Sequence, residues 1–158
     1  MKILVPVDGS GLSLDALDRA LDLVRGGLRA ELVLANVQEP ANLYEMVTAP
    51  DPAALDEVAE GAGRHVLAAA VQRVQAAGVP HDTEVGRGDP ARALIEIAER
   101  HGCDLIVMGA HGHGAVRSAL IGSVSLEVVG LSPVPVMLVK HPEPDDADGE
   151  ADATSETA

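Results

Sequence analysis

The stretch Gly109-Ala-His-Gly-His-Gly-Ala-Val-Arg-Ser-Ala-Leu-Ile-Gly-Ser-Val-Ser125 organises this chain. It follows the apolar run 105–108 and runs into residues 123–131, whose pattern predicts a helix. Glycines and hydroxyl side chains therefore lie between a predicted strand and a helix start. The first N–H groups of a helix have no partner within it, and the helix dipole is positive there, so this place favours an anion. We expect it to hold the phosphates of a nucleotide.

The glycines of this stretch have two explanations. In the first, Gly109 and Gly112 let backbone approach a phosphate, and Gly122 clears the helix start, where Ser123 and Ser125 offer hydroxyl groups. In the second, the glycines serve only turns. Physical reasoning on the spacing alone leaves both explanations open.

Short apolar runs alternate with helical patterns on both sides of this stretch. This order predicts an α/β fold, with a parallel sheet covered by helices on both faces and right-handed crossovers. Ligands bind such sheets beyond the carboxyl ends of the strands, so Asp8, Val37 and the loop after residue 108 are expected to converge. The third run is polar, as is typical of a sheet edge. The predicted strands are Ile3–Val7, Glu31–Val37, His81–Val85, Asp104–Met108 and Val134–Val139.

Local signals mark several boundaries. Pro6 is expected at the last paired position of the first strand, and Ser10 or Ser13 caps the first helix, which is expected to bury Leu28. Residues 86–90 predict a turn, with Asp89 as N-cap and Pro90 as the first helical residue. Pro135, inside the last predicted strand, is expected to protect that strand's edge in part.

The charge is unevenly distributed. The net charge is −14, and residues 141–158 hold seven acidic residues and no Lys or Arg. The other 140 residues hold 18 acids against 11 bases and are also acidic. We therefore expect one domain over residues 1–140 and an acidic disordered tail over 141–158, and we expect no binding to nucleic acid or to membranes.

Few other features of the sequence indicate a catalytic or binding site. Cys103 is the only cysteine and Tyr44 the only aromatic residue apart from histidines, and the amino-terminal run does not predict a signal peptide. A cytoplasmic location is the expectation. His111 and His113 are interpreted as exposed loop residues rather than metal ligands, and Arg117 as a surface residue or a partner of phosphate. The pattern Gly86-x-Gly88-x-x-Ala91 is rejected as a dinucleotide fingerprint because it follows the third strand rather than the first.

Four separated blocks resemble the universal stress protein family, over about residues 1–140. The second and third blocks together have the glycine spacing of the family's ATP-binding branch, G-2x-G-9x-G-S, from Gly109 to Ser123. The blocks are Ile3-Leu4-Val5-Pro6-Val7-Asp8-Gly9-Ser10-x-x-Ser13; Asp104-Leu105-Ile106-Val107-Met108-Gly109-x-His111-Gly112; Gly122-Ser123-Val124-Ser125; and Pro135-Val136-x-Leu138-Val139-Lys140.

The resemblance implies a Rossmann-like, five-stranded parallel sheet in the order 3-2-1-4-5, and ATP, with or without Mg²⁺, in a cleft. It implies that Asp8 bonds the ribose, that Val7 and Val37 meet adenine through their main chains, and that the glycine blocks surround the phosphates. It also implies a homodimer through the strand Val134–Val139. The complete set of expected nucleotide-binding residues is Pro6, Val7, Asp8, Val37, Met108, Gly109, His111, Gly112, Gly122, Ser123, Val124 and Ser125.

The function expected from this resemblance is regulatory, in a stress response. No base is placed beside a nucleophile and no carboxylate cluster is evident beyond Asp8, so slow ATP hydrolysis is the most activity expected. Two alternatives are an ATP-dependent enzyme, with a substrate pocket under the connection 38–52, and an interaction module without a ligand.

Overall fold

The structure is a computed structural model that describes residues 1–40, 47–48, 51–112 and 120–141. Tyr44, His113, Arg117 and residues 142–158 lie outside the described residues, as does most of the connection 38–52. The strands are β1 Lys2–Pro6, β2 Glu31–Gln38, β3 His81–Arg87, β4 Leu105–Gly109 and β5 Val136–Val139. The main helices are α1 Gly11–Arg25, α2 Pro52–Ala76, α3 Pro90–His101 and α4 Ser123–Leu131.

The five strands form one parallel sheet in the order β3-β2-β1-β4-β5. This confirms the predicted fold class and strand order. Pro6 pairs with Ala35 at the last paired position of β1, as predicted. The strands β1, β2 and β4 are neighbours in the middle of the sheet, so their carboxyl ends lie side by side at one edge.

Helices cover both faces of the sheet, and each face has its own apolar core. On one face, side chains such as Val5 and Leu34 pack with Leu17 of α1 and Leu67 of α2. On the other face, Leu4, Val33 and Ile106 pack with residues of α3 and α4. Aliphatic side chains, with Cys103 and Met108, fill both cores, and the central strands are buried on both sides, which explains their continuous apolar runs.

At the start of three helices, a side chain accepts a hydrogen bond from an N–H group in the first turn of the helix. Ser10 caps α1 by accepting from the N–H of Ser13, and Asp51 caps α2. Asp89 caps α3 with Pro90 as the first helical residue, as predicted. Ser10 is one of the two caps predicted for α1, whereas the cap of α2, Asp51, was not predicted from the sequence.

The element ends differ from the predictions by one residue at β1, β2 and β4, and by two or more at three other places. The strand β3 continues through Gly86 and Arg87, which were predicted as a turn, because both pair with β2. The helix α1 ends at Arg25, so Leu28 packs on the core from outside the helix. The strand β5 begins at Val136, one residue after Pro135.

The predicted protective role of Pro135 at the sheet edge is wrong. The Pro135 carbonyl accepts from the N–H of Ile106, and the Val139 carbonyl accepts from Ala110, so these residues face β4. Backbone groups alternate sides along a strand, so the N–H groups of Val136 and Leu138 face the open edge instead. A residue with an N–H group at position 135 would direct it towards β4, so proline there removes no donor from the open edge.

A charged cluster joins β3 to the end of α3 at the opposite edge of the sheet. Glu84 pairs with Arg100 and with His101, whose Nε2 lies 2.5 Å from a carboxylate oxygen. Burial would raise the pKa of Glu84, but hydrogen bonds from His101 and Arg100 outweigh it and lower the pKa below 4.5. The ionised carboxylate therefore stabilises this edge.

Glu84→Gln should lower the free energy of unfolding at pH 7 by about 0.5 kcal/mol, because the cluster is partly exposed. A carboxyl group whose pKa is lowered on folding stabilises above its unfolded pKa and loses that effect as the pH falls through its folded pKa. In urea titrations the difference from wild type should therefore shrink as the pH falls below the ordinary pKa of Glu, about 4.3, and vanish only below the lowered pKa of Glu84. Glu96→Gln on α3, exposed and without an ion pair among the described residues, is the control. A Glu84→Gln effect that persists in acid would contradict the assignment.

Candidate functional site

A cavity of about 480 Å³ opens where the carboxyl ends of β1, β2 and β4 meet the start of α4. Its lining includes every residue that the sequence analysis singled out for nucleotide binding. These residues come from four places in the chain, and the parallel sheet brings them to one edge. They are Pro6, Val7, Asp8, Val37, Met108, Gly109, His111, Gly112, Gly122, Ser123, Val124 and Ser125.

The glycines here allow close packing of the chain against itself. A side chain at Gly109 would bring its Cβ to 3.0 Å from Cγ of Leu12, and one at Gly122 would reach 3.0 Å from Cα of His111. The N–H of Gly122 donates to the carbonyl of Ala110 at 2.7 Å. The absence of a side chain at Gly122 lets the start of α4 lie directly against the backbone that follows β4, and its absence at Gly109 lets Leu12 of α1 pack close to the end of β4.

The start of α4 lies at the cavity without a side-chain cap. Its N-cap is Gly122, and the N–H of Leu126 bonds to the Gly122 carbonyl at 2.9 Å. The N–H groups of Ser123, Val124 and Ser125 come earlier and have no acceptor four residues back within the helix. Together with the helix dipole, they make this end of the cavity attractive to an anion.

The hydroxyl of Ser125 is already engaged. It donates to the Gly109 carbonyl at 2.9 Å, and the residue is buried. The sequence analysis had treated this hydroxyl as a donor to phosphate, but here it fastens α4 to the end of β4. The candidate hydrogen-bond donors to a ligand are therefore the backbone N–H of Ser125 and the hydroxyl of Ser123.

Asp8 builds the turn between β1 and α1. Its Oδ1 accepts from both the N–H of Ser10, at 2.9 Å, and the Ser10 hydroxyl, at 2.5 Å. Its Oδ2 lies 2.7 Å from the position that a Cβ on Gly112 would occupy. Asp8 is thus a turn former, and it also holds an exposed carboxylate against the glycine loop.

The main chain of Val7 already has partners. Its N–H donates to the Ala35 carbonyl at 2.7 Å, and its carbonyl accepts from Nδ2 of Asn36 at 2.8 Å. The N–H of Val7 is therefore not available to a base, although the resemblance implied a main-chain contact there. Val37 lies at the far end of β2, in register with Gly86, and borders the cavity from the other side.

The sequence analysis missed six lining residues. Asn36 is the most informative of them, because it is buried and fixes the end of β1 through its bond to Val7. Its amide oxygen also accepts from Gln38 at 2.5 Å. A polar residue inside the apolar run 32–37 was the available signal. The six are Ser13, Ala35, Asn36, Glu39, Pro90 and Leu94.

His111 has an unsatisfied nitrogen beside the cavity. Its Nδ1 is shielded from solvent and has no hydrogen-bond partner within the described part of the chain. Its ring lies 6.5 Å from the ring of His141, centroid to centroid, in an edge-to-face arrangement. No group of three potential His, Cys, Asp or Glu metal ligands occurs among the described residues.

Cys103 does not belong to this site. It is buried beside α3, and burial raises the pKa of its thiol to about 11. The thiol is therefore protonated at neutral pH and is a poor nucleophile. In the described ranges, the search for a helix long and apolar enough to span a bilayer finds none.

Gly112→Ala tests the packing of the glycine loop on Asp8. The added Cβ would overlap the Asp8 carboxylate and disturb its turn, so we expect a loss of about 1 kcal/mol in the free energy of unfolding. Gly11→Ala is the matched control, because a Cβ there meets nothing within 4 Å. Urea unfolding measures both. Equal midpoints for the two variants would show that Asp8 does not pack as described.

Comparison with known proteins identifies relatives along most of the chain. The model of the universal stress protein family matches residues 1–140. Universal stress protein YxiE of Bacillus subtilis is 33% identical over 147 residues, covering 88% of this chain and 98% of YxiE.

Two solved structures show the same similarity in three dimensions. Universal stress protein UspA from Lactobacillus plantarum superposes with a TM-score of 0.71 at 27% identity, covering 88% of this chain and 97% of UspA. A universal stress protein in complex with cAMP has a TM-score of 0.67 at 29% identity, covering 88% of this chain and 96% of its own. With its sheet order, its glycine loop and these relatives, the chain belongs to the universal stress protein family.

Proposed function

We propose that this protein binds ATP in the cavity at the carboxyl edge of the sheet and acts as a regulatory protein in a stress response. The observation that carries the proposal is the start of α4, where three early N–H groups adjoin the cavity and the N-cap offers no side-chain acceptor. A cavity of about 480 Å³ is within the usual range for small-molecule sites.

The proposed ligand runs along the edge of the sheet. The phosphates lie at the N–H groups of residues 123–125, near the unsatisfied Nδ1 of His111. The ribose lies at Asp8, in the middle of the edge. The base lies over the end of β2, where Val37, Pro90 and Leu94 provide apolar contact area. This order follows from the sheet, since β1 separates β4 from β2.

The relative solved in complex with cAMP supports an adenine nucleotide as the ligand class. ATP, rather than a monophosphate, is our proposal from the glycine spacing of residues 109–123. Mg²⁺ would fit here mainly through the phosphates, as is usual for this ion, with the Asp8 carboxylate as an oxygen ligand from the protein.

The described residues that line the cavity favour binding of ATP over its rapid hydrolysis. The carboxylates that line the cavity are Asp8 and Glu39, and Asp8 is held by Ser10. Water activation would need a base beside the terminal phosphate, and none is identified in the part of the cavity lining that the structure describes. We therefore propose slow hydrolysis at most, and a cytoplasmic location in which the single cysteine stays reduced.

Mass spectrometry of the denatured, freshly purified protein is the first test, and adenine nucleotides are the expected released molecules. Calorimetric titration then measures the Kd for ATP. Gly122→Val should weaken ATP binding at least tenfold, because the side chain separates the helix start from the backbone at His111. Gly130→Val on the same helix is the control, since a Cβ there meets nothing within 4 Å.

Two results would contradict the proposal. One is the absence of any nucleotide after purification together with no heat of binding on adding ATP. The other is equal ATP affinity in Gly122→Val and Gly130→Val, with both variants folded by circular dichroism. Rapid turnover that requires a second substrate would favour the alternative of an ATP-dependent enzyme.

We also propose a homodimer through the strand predicted at 134–139. The supporting observation is that β5 is an edge strand whose residues Val136 and Leu138 have outward-facing backbone groups. An edge of this kind tends to pair with another strand. Pairing of two β5 strands would satisfy both edges at once.

Leu138→Pro should convert the dimer to a monomer, because proline removes an outward N–H and leaves the bonds to β4 in place. Light scattering coupled to gel filtration measures the mass over a range of protein concentrations. Val58→Asn, at an exposed position on α2, is the control. A wild-type protein that is monomeric at every concentration would refute the dimer.

A further inference from the structure

The last helix carries an apolar flank that the described part of the chain leaves uncovered. Glu127 is the only charged residue of α4, and a helix of this composition is typical of buried positions. Yet the side chains of Leu126 and Val129 are 60% and 46% exposed. These two residues are called the outer flank of α4 below.

The outer flank faces the open edge of the sheet. Val124 lines the cavity together with Pro90 and Leu94 of α3, so it marks the side of α4 that faces α3. Successive residues are turned by about 100° around a helix axis, so Leu126 and Val129 lie about 160° and 140° from Val124. They therefore point away from α3, towards the side on which α4 packs against β5.

The edge strand continues this apolar surface. Val136 and Leu138 of β5 pack on the core beneath α3 and α4, but both are only half-buried, whereas Ile106 of the neighbouring strand β4 is fully buried. The uncovered side of β5 and the outer flank of α4 lie on the same side of the domain. Together they form one apolar strip along the edge of the sheet.

Pairing of two β5 strands alone would give only a small contact. The four residues of β5 span about 13 Å and a sheet layer is about 10 Å thick, so the strand edge presents roughly 130 Å². A stable interface buries about 800 Å² on each partner. The homodimer proposed above therefore needs a further contact surface beside the strand.

Symmetry brings the two outer flanks together. A two-fold axis normal to the sheet pairs two β5 strands antiparallel and leaves equivalent faces on the same side. The helix α4 bonds to the end of β4 through Ser125 and packs on β5, so it lies above this strand pair. Its copy then lies two strand spacings away, about 10 Å, and packed helices are about 8–10 Å apart.

We propose that the outer flank of α4 packs against the same flank of a second copy of this chain, beside the paired β5 strands. Leu126 of one protomer meets Val129 of the partner subunit, and the two-fold axis repeats the contact. The proposal rests on the homodimer proposed above and names its central side chains. Because Leu126 directly follows Ser125, the phosphate site and the interface lie on the same helix.

The charges of the chain favour a second copy as the occupant. Glu127 lies about 100° around the helix from Leu126 and about 160° from Val129, so its carboxylate stays outside the contact. The outer flank is therefore uncharged and complementary to itself. The net charge of −14 disfavours an anionic membrane at this surface.

The first test replaces Leu126 and Val129 together by Gln. Both side chains are largely exposed within one protomer, so circular dichroism should show an unchanged fold. The dissociation constant of the dimer should rise at least tenfold, because the apolar contact is lost. Light scattering coupled to gel filtration over a range of concentrations measures it. Val58→Gln is the matched control, since Val58 is 70% exposed on α2, which packs on β2 and β3.

The second test examines how the two helices are arranged. Val129→Cys should form covalent dimers with a short bismaleimide, and Val58→Cys should not. The native Cys103 is buried, which raises the pKa of its thiol to about 11, so it reacts poorly. Parallel pairing of the β5 strands would place the two α4 helices on opposite faces of the sheet and give no cross-link.

Each contrary outcome overturns the inference in a distinct way. An unchanged dissociation constant in the double Gln variant, with Leu138→Pro monomeric, removes the outer flank from the interface and leaves β5 pairing intact. Equal cross-linking of Val129→Cys and Val58→Cys refutes the contact between the helices. A wild-type protein that is monomeric at every concentration refutes the homodimer and the inference with it, and slow maleimide labelling of Val129→Cys would then show that the chain covers this flank itself.

Discussion

The hydrogen bond from the N–H of Gly122 to the carbonyl of Ala110 sets the geometry of the site. It holds the start of α4 against the chain that leaves β4, at a separation that leaves little room for a side chain at position 122. Because α4 begins there, its early N–H groups adjoin the cavity. The Ser125 hydroxyl reinforces the same junction from the helix side. Without this junction, the stretch after β4 would be an ordinary loop.

The ends of β1 and β2 complete the cavity through a separate set of bonds. Asn36 reaches across from β2 to the carbonyl of Val7, and Asp8 closes the turn into α1 through Ser10. Polar side chains at these strand ends are used first to fix the backbone. A ligand would therefore meet a rigid edge of the sheet with few free side chains, and backbone groups would supply most of its polar contacts.

The sequence alone predicts those features of the fold that depend on neighbouring residues or on the periodicity of apolar residues. The starts of α1 and α3 follow from Ser10, Asp89 and Pro90, and the alternation of apolar runs predicts the parallel sheet. The sequence does not predict contacts in which the hydrogen-bond or strand partner is distant in the chain. Asn36 was missed because its acceptor lies 29 residues away in sequence, and the orientation of Pro135 depends on its register with β4.

The central claim is that the start of α4 holds the phosphates of a nucleotide. Titration of ATP into the ¹⁵N-labelled protein, followed by amide resonances, tests it most directly. The account predicts that the largest shifts fall on residues 122–125 and 109–112, and that inorganic pyrophosphate reproduces the shifts at 122–125. Shifts that leave these amides unchanged while ATP binds elsewhere on the chain would contradict it.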